Sequence, residues 1–214
     1  MKRKCKINTI WSPTLAYVIG MIATDGNLSS DERHISITSK DYSLLLQIRK
    51  VLKIDNKIGK KSRGGETEKK YFVLQFGDVN FYKFLESIGL TKAKSRTIPK
   101  LKIPNKYFYD FFRGCIDGDG NISVSFHPES KQPQLRLRLC SASKDFIVWI
   151  KYSIHKIGKI KNGWIYTDKK SFHTLNYGKS DSIKILKLMY YNGVEIFLKR
   201  KYDTASGFIG RVVK

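Results

Sequence analysis

Two aspartates, Asp25 and Asp119, stand in matched surroundings. Ile22-Ala-Thr-Asp25-Gly26-Asn27-Leu28-Ser29 recurs as Ile116-Asp-Gly-Asp119-Gly120-Asn121-Ile122-Ser123. Each acid ends an apolar stretch with helical spacing, so each adds negative charge to the negative end of a helix dipole. One Asp-Gly in such a place is an ordinary turn. Two of them, at equivalent places of a duplicated chain, meet if the repeats pack about a pseudo-two-fold axis through these helices. Carboxylates brought together repel unless a cation lies between them, and hard oxygen ligands select Mg2+, Mn2+ or Ca2+. A divalent ion so held can generate hydroxide and stabilise a phosphoryl transition state.

The elements that must position the acids are themselves written twice. Ile37-Thr-Ser39-Lys40-Asp41 recurs as Ser141-Ala-Ser143-Lys144-Asp145, and Leu74-Gln-Phe76-Gly77 as Leu175-Asn-Tyr177-Gly178. Blocks repeated in one order indicate an internal duplication. Each repeat reads as helix, two strands, helix, two strands, helix, an α+β plan. Ser12-Pro13 is a helix start, Ser as N-cap and Pro in the first turn, and the second repeat opens at Asn105. Gly20 and Gly114, at matched distances before their acids, allow the two first helices to approach closely. Ser39 and Ser143 read as N-caps of the next helices. The reading divides the chain into a first repeat at 1–95, a linker at 96–104 that holds Pro99 and Pro104, and a second repeat at 105–214. Extra residues around His127-Pro128 predict a longer first hairpin in the second repeat.

Charge narrows the partner. Lys and Arg number 41 against 18 Asp and Glu, a net charge of +23, shared about evenly by the two halves. Such an excess destabilises a compact chain by self-repulsion and points to a polyanionic partner that releases counterions on binding. No apolar run reaches membrane-spanning length, no signal-type stretch follows Met1-Lys2-Arg3-Lys4, and the three cysteines lack CxxC spacing, so an intracellular, reducing setting is expected. Asp117-x-Asp119-x-Asn121 imitates the start of an EF-hand loop but has Ile122 where Gly is required. Glu68-x-Lys70 reads as a charged hairpin tip.

Val18-Ile-Gly-Met-Ile-Ala-Thr-Asp25-Gly26 and Phe112-Arg-Gly-Cys-Ile-Asp-Gly-Asp119-Gly120 resemble the paired signature motifs of single-chain, two-repeat LAGLIDADG homing endonucleases. The resemblance implies pseudo-symmetric αββαββα repeats whose paired sheets form a DNA-binding saddle. It implies that Asp25 and Asp119 bind the metal, with the backbone carbonyls of Thr24 and Gly118 as further ligands. It also implies a polar residue at the start of the second helix, matched by Ser39 and Ser143, and a lysine after the third, matched by Lys94 and by Lys201 or Lys199. Asp117 has Ala23 as its counterpart, which argues against a catalytic role for it.

The strands supply a binding surface on their own account. Alternation puts Ile35 and Ile37 on one face, with His34, Ser36 and Thr38 on the other. It turns Leu135, Leu137 and Leu139 inward and leaves Gln134, Arg136 and Arg138 outward. Ser29, Asn121, Ser123 and Ser125 extend the polar faces. A β-ribbon fits the major groove, where Arg136 and Arg138 can read guanine, while Lys57, Lys60, Lys61, Lys159 and Lys161 are placed to hold phosphates. The expected function is that of a monomeric endonuclease that cuts double-stranded DNA at a long asymmetric site with Mg2+ or Mn2+, Ca2+ occupying the site without turnover. The alternative on the same fold is an intron-RNA maturase or a non-cleaving DNA-binding regulator.

Overall fold

The computed structural model describes residues 7–62, 68, 70–92, 96–126, 129 and 132–210. Helix α1 (Pro13–Asp25) starts where expected: the Ser12 hydroxyl accepts from the Leu15 amide at 3.1 Å. It is buried along its whole length from Leu15 to Ala23, and a helix that is apolar all round belongs inside a protein. Its counterpart α4 (Phe108–Asp119) follows a short 3-10 turn at Asn105–Tyr107 and is buried from Phe108 to Asp117. Both helices stop at a glycine in extended conformation, Gly26 and Gly120, so Asp25 and Asp119 are the last residues of their helices.

From each glycine the chain passes directly into a sheet. The first repeat continues with β1 (Gly26–Leu28), β2 (His34–Ser39), α2 (Tyr42–Val51), β3 (Ile58–Lys61), β4 (Tyr71–Gly77) and α3 (Val79–Ser87). The second continues with β5 (Gly120–Phe126), β6 (Pro133–Ser141), α5 (Lys144–Gly158), β7 (Trp164–Thr167), β8 (His173–Tyr177), α6 (Lys179–Met189) and α7 (Lys199–Ile209). The two sheets share one antiparallel order, β1-β2-β4-β3 and β5-β6-β8-β7. The first hairpin of the second repeat is the longer one, as the extra residues require: β5 and β6 have 7 and 9 residues against 3 and 6 in β1 and β2.

One feature departs from the sequence reading. The second repeat carries one helix more than the αββαββα plan, α7. It is held by a buried staple on α4: Arg113, 1% exposed, donates to Asp110 Oδ1 and to the carbonyls of Met189 and Ile196 on the segment that leads into α7. The segment at 96–104 is packed against both repeats: Ile98 and Leu101 are in the core, and the Ser143 hydroxyl donates to the Ile98 carbonyl at 2.7 Å.

Candidate paired-acid site and nucleic-acid interface

The two central helices touch backbone to backbone. A Cβ on Gly20 would lie 2.1 Å from the Phe111 carbonyl oxygen and 2.9 Å from the Cys115 amide nitrogen. A Cβ on Gly114 would lie 2.1 Å from the Tyr17 carbonyl oxygen and 3.0 Å from the Met21 amide nitrogen. The contacts are the same ones exchanged, Tyr17 matching Phe111 and Met21 matching Cys115, which is the signature of a two-fold axis between the repeats. One turn further on, Gly118 faces the end of α1. A Cβ there would lie 2.0 Å from Thr24 Oγ1 and 3.2 Å from Asp25 Oδ2. The Asp25 carboxylate of one repeat thus seats against the Gly118 backbone of the other.

What gathers at this junction is a set of hard oxygens. Asp25 lines an open cleft of about 650 Å³ with Thr24, Ser39, Lys40, Lys61, Gly118 and Arg200, while Asp119 is exposed. The last-turn carbonyls of both helices, Thr24 and Gly118 among them, have no helical N–H ahead of them. The Thr24 hydroxyl is turned back to the Gly20 and Met21 carbonyls of its own helix. Carboxylates and carbonyls at two converging negative helix ends suit a divalent cation of the Mg2+, Mn2+ or Ca2+ type, so the residues present fit the metal that the paired motifs imply.

Several predicted site residues take other places. Lys201, only 6% exposed, donates from Nζ to the carbonyls of Ile116, Asp117 and Gly120 at 2.5, 3.0 and 2.7 Å. It caps the end of α4 with its whole ammonium group, so it is not a free lysine at a scissile phosphate. Burial lowers its pKa, opposed by the charges of Asp117, Asp25 and Asp119. Lys199 points to solvent and pairs with Asp203 at 2.7 Å. Lys94 lies outside the described residues. Ser143 is a buried N-cap that accepts from Phe146 N, which removes it from the cleft. The residue equivalent to Ser39 is Ser141: Asp41 N donates to Ser39 Oγ and Ser143 N to Ser141 Oγ, both at 3.1 Å. The N-cap position of α2 is accordingly Asp41 and not Ser39. The sequence reading also passed over Arg200 and Lys40, which bring cations to the cleft, Arg200 lying 3.5 Å from Asp41 Oδ2.

Asp117 is structural, in line with its unmatched motif position. It is buried, and Oδ2 accepts from Tyr17 OH at 2.7 Å and from Leu198 N at 2.8 Å. Its Oδ1 is buried without a hydrogen-bond partner. Burial pushes its pKa up to about 6 despite those two hydrogen bonds and the nearby Lys201 and Arg113 charges. An acid whose folded-state pKa is raised stabilises the fold while protonated. That contribution is full below the unfolded value near 3.8 and is lost as pH rises through about 6. Asp117→Asn keeps an acceptor for Tyr17 and Leu198 but cannot ionise. Urea unfolding between pH 4 and pH 8 in EDTA is expected to show wild type losing on the order of 2 kcal/mol relative to the variant. Parallel profiles for the two proteins would contradict this account.

The sheet registers sort the DNA-facing candidates. In the first sheet Asn27, Ser36 and Gln75 form one row and Thr38, Val73 and Gly59 another. In the second, Asn121, Arg138, Asn176 and Trp164 form a row, followed by Ser123 with Arg136 and Ser125 with Gln134. His34 lies on the polar face, its Nδ1 hydrogen-bonded to Asp31 Oδ2, and Ser29 sits in the turn before it, where its carbonyl accepts from Tyr82 OH. Bonds from the His34 and Arg33 amides and the His34 ring hold the Asp31 carboxyl down at about 2. Lys61 shares the polar face with Tyr71, while Lys60, exposed on the outer strand, pairs with Phe72 on the alternate side. Lys57, Lys159 and Lys161 are exposed near the outer strands. Gln75 and Asn176 were missed, although the matched blocks Leu74-Gln-Phe76 and Leu175-Asn-Tyr177 already marked them as paired polar positions.

Two closely crossed helices, each ending in an acid beneath its own four-stranded sheet, make up the two-repeat LAGLIDADG fold. Residues 12–89, the bulk of the first repeat, match the family model of the LAGLIDADG-like domain. Among solved structures, the N-terminal LAGLIDADG domain of DUF199/WhiA is similar at a TM-score of 0.57 and 15% identity, over 95% of this chain and 98% of that one. The homing endonuclease I-DmoI in complex with DNA and Ca is similar at 0.60 and 14%, over 89% and 96%. The meganuclease I-SmaMI bound to uncleaveable DNA is similar at 0.58 and 13%, over 90% and 88%. At these identities the likeness is one of fold. No curated protein matches the chain. No helix among the described residues is long and apolar enough to cross a membrane.

Proposed function

We propose that the chain is a site-specific double-stranded DNA endonuclease, working as a monomer whose two repeats each hold one half of a long asymmetric target. The observation that carries this reading is the exchanged Gly20 and Gly114 contact, which crosses at one axis the two helices that end in these acids. Divalent ions, Mg2+ or Mn2+, held by Asp25, Asp119 and the carbonyls of Thr24 and Gly118, with one acid serving each strand, would supply charge to the transferring phosphate and acidify an attacking water. The chain's own part is to place those ligands, to bind phosphates through Lys40, Lys61 and Arg200, and to read base edges with the polar rows of both sheets. Hydrolysis would leave 5′-phosphates and 3′-hydroxyls on staggered ends. The neighbours of like fold that were solved with DNA support duplex DNA as the partner.

One observation favours a second reading, a DNA-binding protein that does not cut. The lysine expected at the scissile phosphate, Lys201, is spent on three carbonyls. A randomised duplex library, incubated with the protein and Mg2+ and sequenced for both bound and cut molecules, separates the two. Cleavage enriched at one long motif is expected. A motif that is bound and never cut, with Mg2+ or Mn2+, would establish the second reading instead.

A further inference from the structure

The polar faces of the two sheets differ at one matched place. Ile58 pairs with Leu74 as Ile165 pairs with Leu175, so the outer strands β3 and β7 align, and Lys57 and Gly59 correspond to Trp164 and Tyr166. The rings of Trp164 and Tyr166 lie on the outward side. Trp164 continues the row of Asn121, Arg138 and Asn176, and Tyr166 pairs with Thr174, while Leu139 and Leu175 are buried on the other face. The two rings are 51% and 60% exposed. Neighbouring large aromatics left in water on an otherwise polar strand face mark a contact surface. In the same row Arg138 Nε is buried with no hydrogen-bond partner, a donor still without its acceptor.

We propose that Trp164 and Tyr166 read thymine, by apolar contact with its 5-methyl group in the major groove at the outer part of the half-site under the second repeat. The proposal rests on the duplex-DNA reading above. The thymine methyl is the one apolar feature of the major-groove edge, and the net charge of +23 supplies the attraction to duplex. Residues i and i+2 of a strand are about 6.6 Å apart, close to two base steps of about 3.4 Å each. The required thymines therefore lie two steps apart. Stacking on unpaired bases is disfavoured by the company the rings keep: Arg138, Asn121 and Asn176 suit base edges, not base faces. The first repeat has Lys57 and Gly59 at these places, so the pair of rings, and the methyl requirement read by it, belongs to one half-site alone.

The test uses the full chain and a duplex selected for binding in Ca2+, so that it does not depend on cutting. Each thymine is replaced in turn by deoxyuridine, which removes only the methyl group, and affinity is measured by fluorescence anisotropy. Two substitutions, two steps apart in the outer second half-site, are expected to weaken binding roughly threefold to tenfold. Trp164→Ala and Tyr166→Ala should each abolish the discrimination at one of these positions, and Trp164→Phe should keep it. Equal affinity for thymine and deoxyuridine throughout that half-site in wild type overturns the proposal, as does discrimination that survives both alanine variants. Alanine variants that lose single-stranded oligonucleotide more than duplex would assign the rings to stacking. Failure to bind any duplex overturns the underlying reading as well, whereas duplex binding without methyl dependence overturns this inference alone.

Discussion

Asp25→Asn and Asp119→Asn, made together, are expected to leave the selected duplex bound but uncut, with the cleavage rate down by roughly a thousandfold or more. The substitution keeps the size and one oxygen of each side chain and removes the charge that holds a divalent ion. Both residues end their helices and lie outside the buried core, unlike Asp117. Affinity should be kept or improved, because two carboxylates no longer face the phosphates. Each single variant is expected to cut one strand much more slowly than the other and so to accumulate nicked duplex. Single-turnover cleavage in Mg2+ and anisotropy in EDTA separate the two effects. Unchanged double-strand cutting by the double variant would place the chemistry elsewhere.

The parts of this site that were legible in the sequence are those fixed by local pattern and by duplication. Ser12-Pro13, the glycines behind each acid, and the alternation of Leu135, Leu137 and Leu139 each carry a local physical cause, and the last two are matched across the repeats. Gly20 and Gly114 could be read as a helix contact because both appear at one matched position. What failed depended on three-dimensional register. The Ser-Lys-Asp strings around Ser39 and Ser143 align as letters, yet the shared backbone geometry, a serine hydroxyl accepting the amide two residues on, pairs Ser39 with Ser141. The two halves thus use one turn with a two-residue slip in sequence.

The α7 lysines show the same limit from another side. Leu198, Lys201, Tyr202 and Ala205 are all buried, the i, i+3, i+4, i+7 stripe of a packed helix face. A lysine on that stripe must bury its stem and find acceptors for its ammonium group, and the end of α4 provides three. Its neighbour Arg200, off the stripe, is the cation that reaches the cleft. The family resemblance suggested Lys201 or Lys199 as the lysine after the third helix, whereas helix periodicity, had the extra helix been foreseen, pointed to Arg200. The asymmetry of the outer strands was equally hidden, because Lys57 and Trp164 become counterparts only once the β3–β4 and β7–β8 registers are known.

Gly20→Ala is expected to destabilise the protein by about 3 kcal/mol or more and, through the same displacement, to suppress cutting. Its Cβ would stand 2.1 Å from the Phe111 carbonyl oxygen, a backbone atom in the middle of a buried helix that no side-chain rotation can move. The helices must separate by roughly 1 Å in an interior packed at crystal density, which draws the two helix ends, and the acids on them, out of register. At about 2–4 °C per kcal/mol for a chain of this size, thermal unfolding should drop by roughly 10 °C. Two further substitutions of the same chemistry bracket this result. Gly207→Ala, in α7 with nothing within 4 Å of the new methyl, should be neutral or stabilising by up to about 1 kcal/mol. Gly118→Ala would set its Cβ 2.0 Å from Thr24 Oγ1 and 2.8 Å from Thr24 Cβ, which rotation cannot move, and 3.2 Å from Asp25 Oδ2. It should therefore cost stability as well and reduce cleavage severely, since a misplacement near 1 Å at reacting groups is worth about a hundredfold. Wild-type thermal stability in Gly20→Ala would mean that α1 and α4 do not cross at these glycines. The shared axis for Asp25 and Asp119 would then lose its basis.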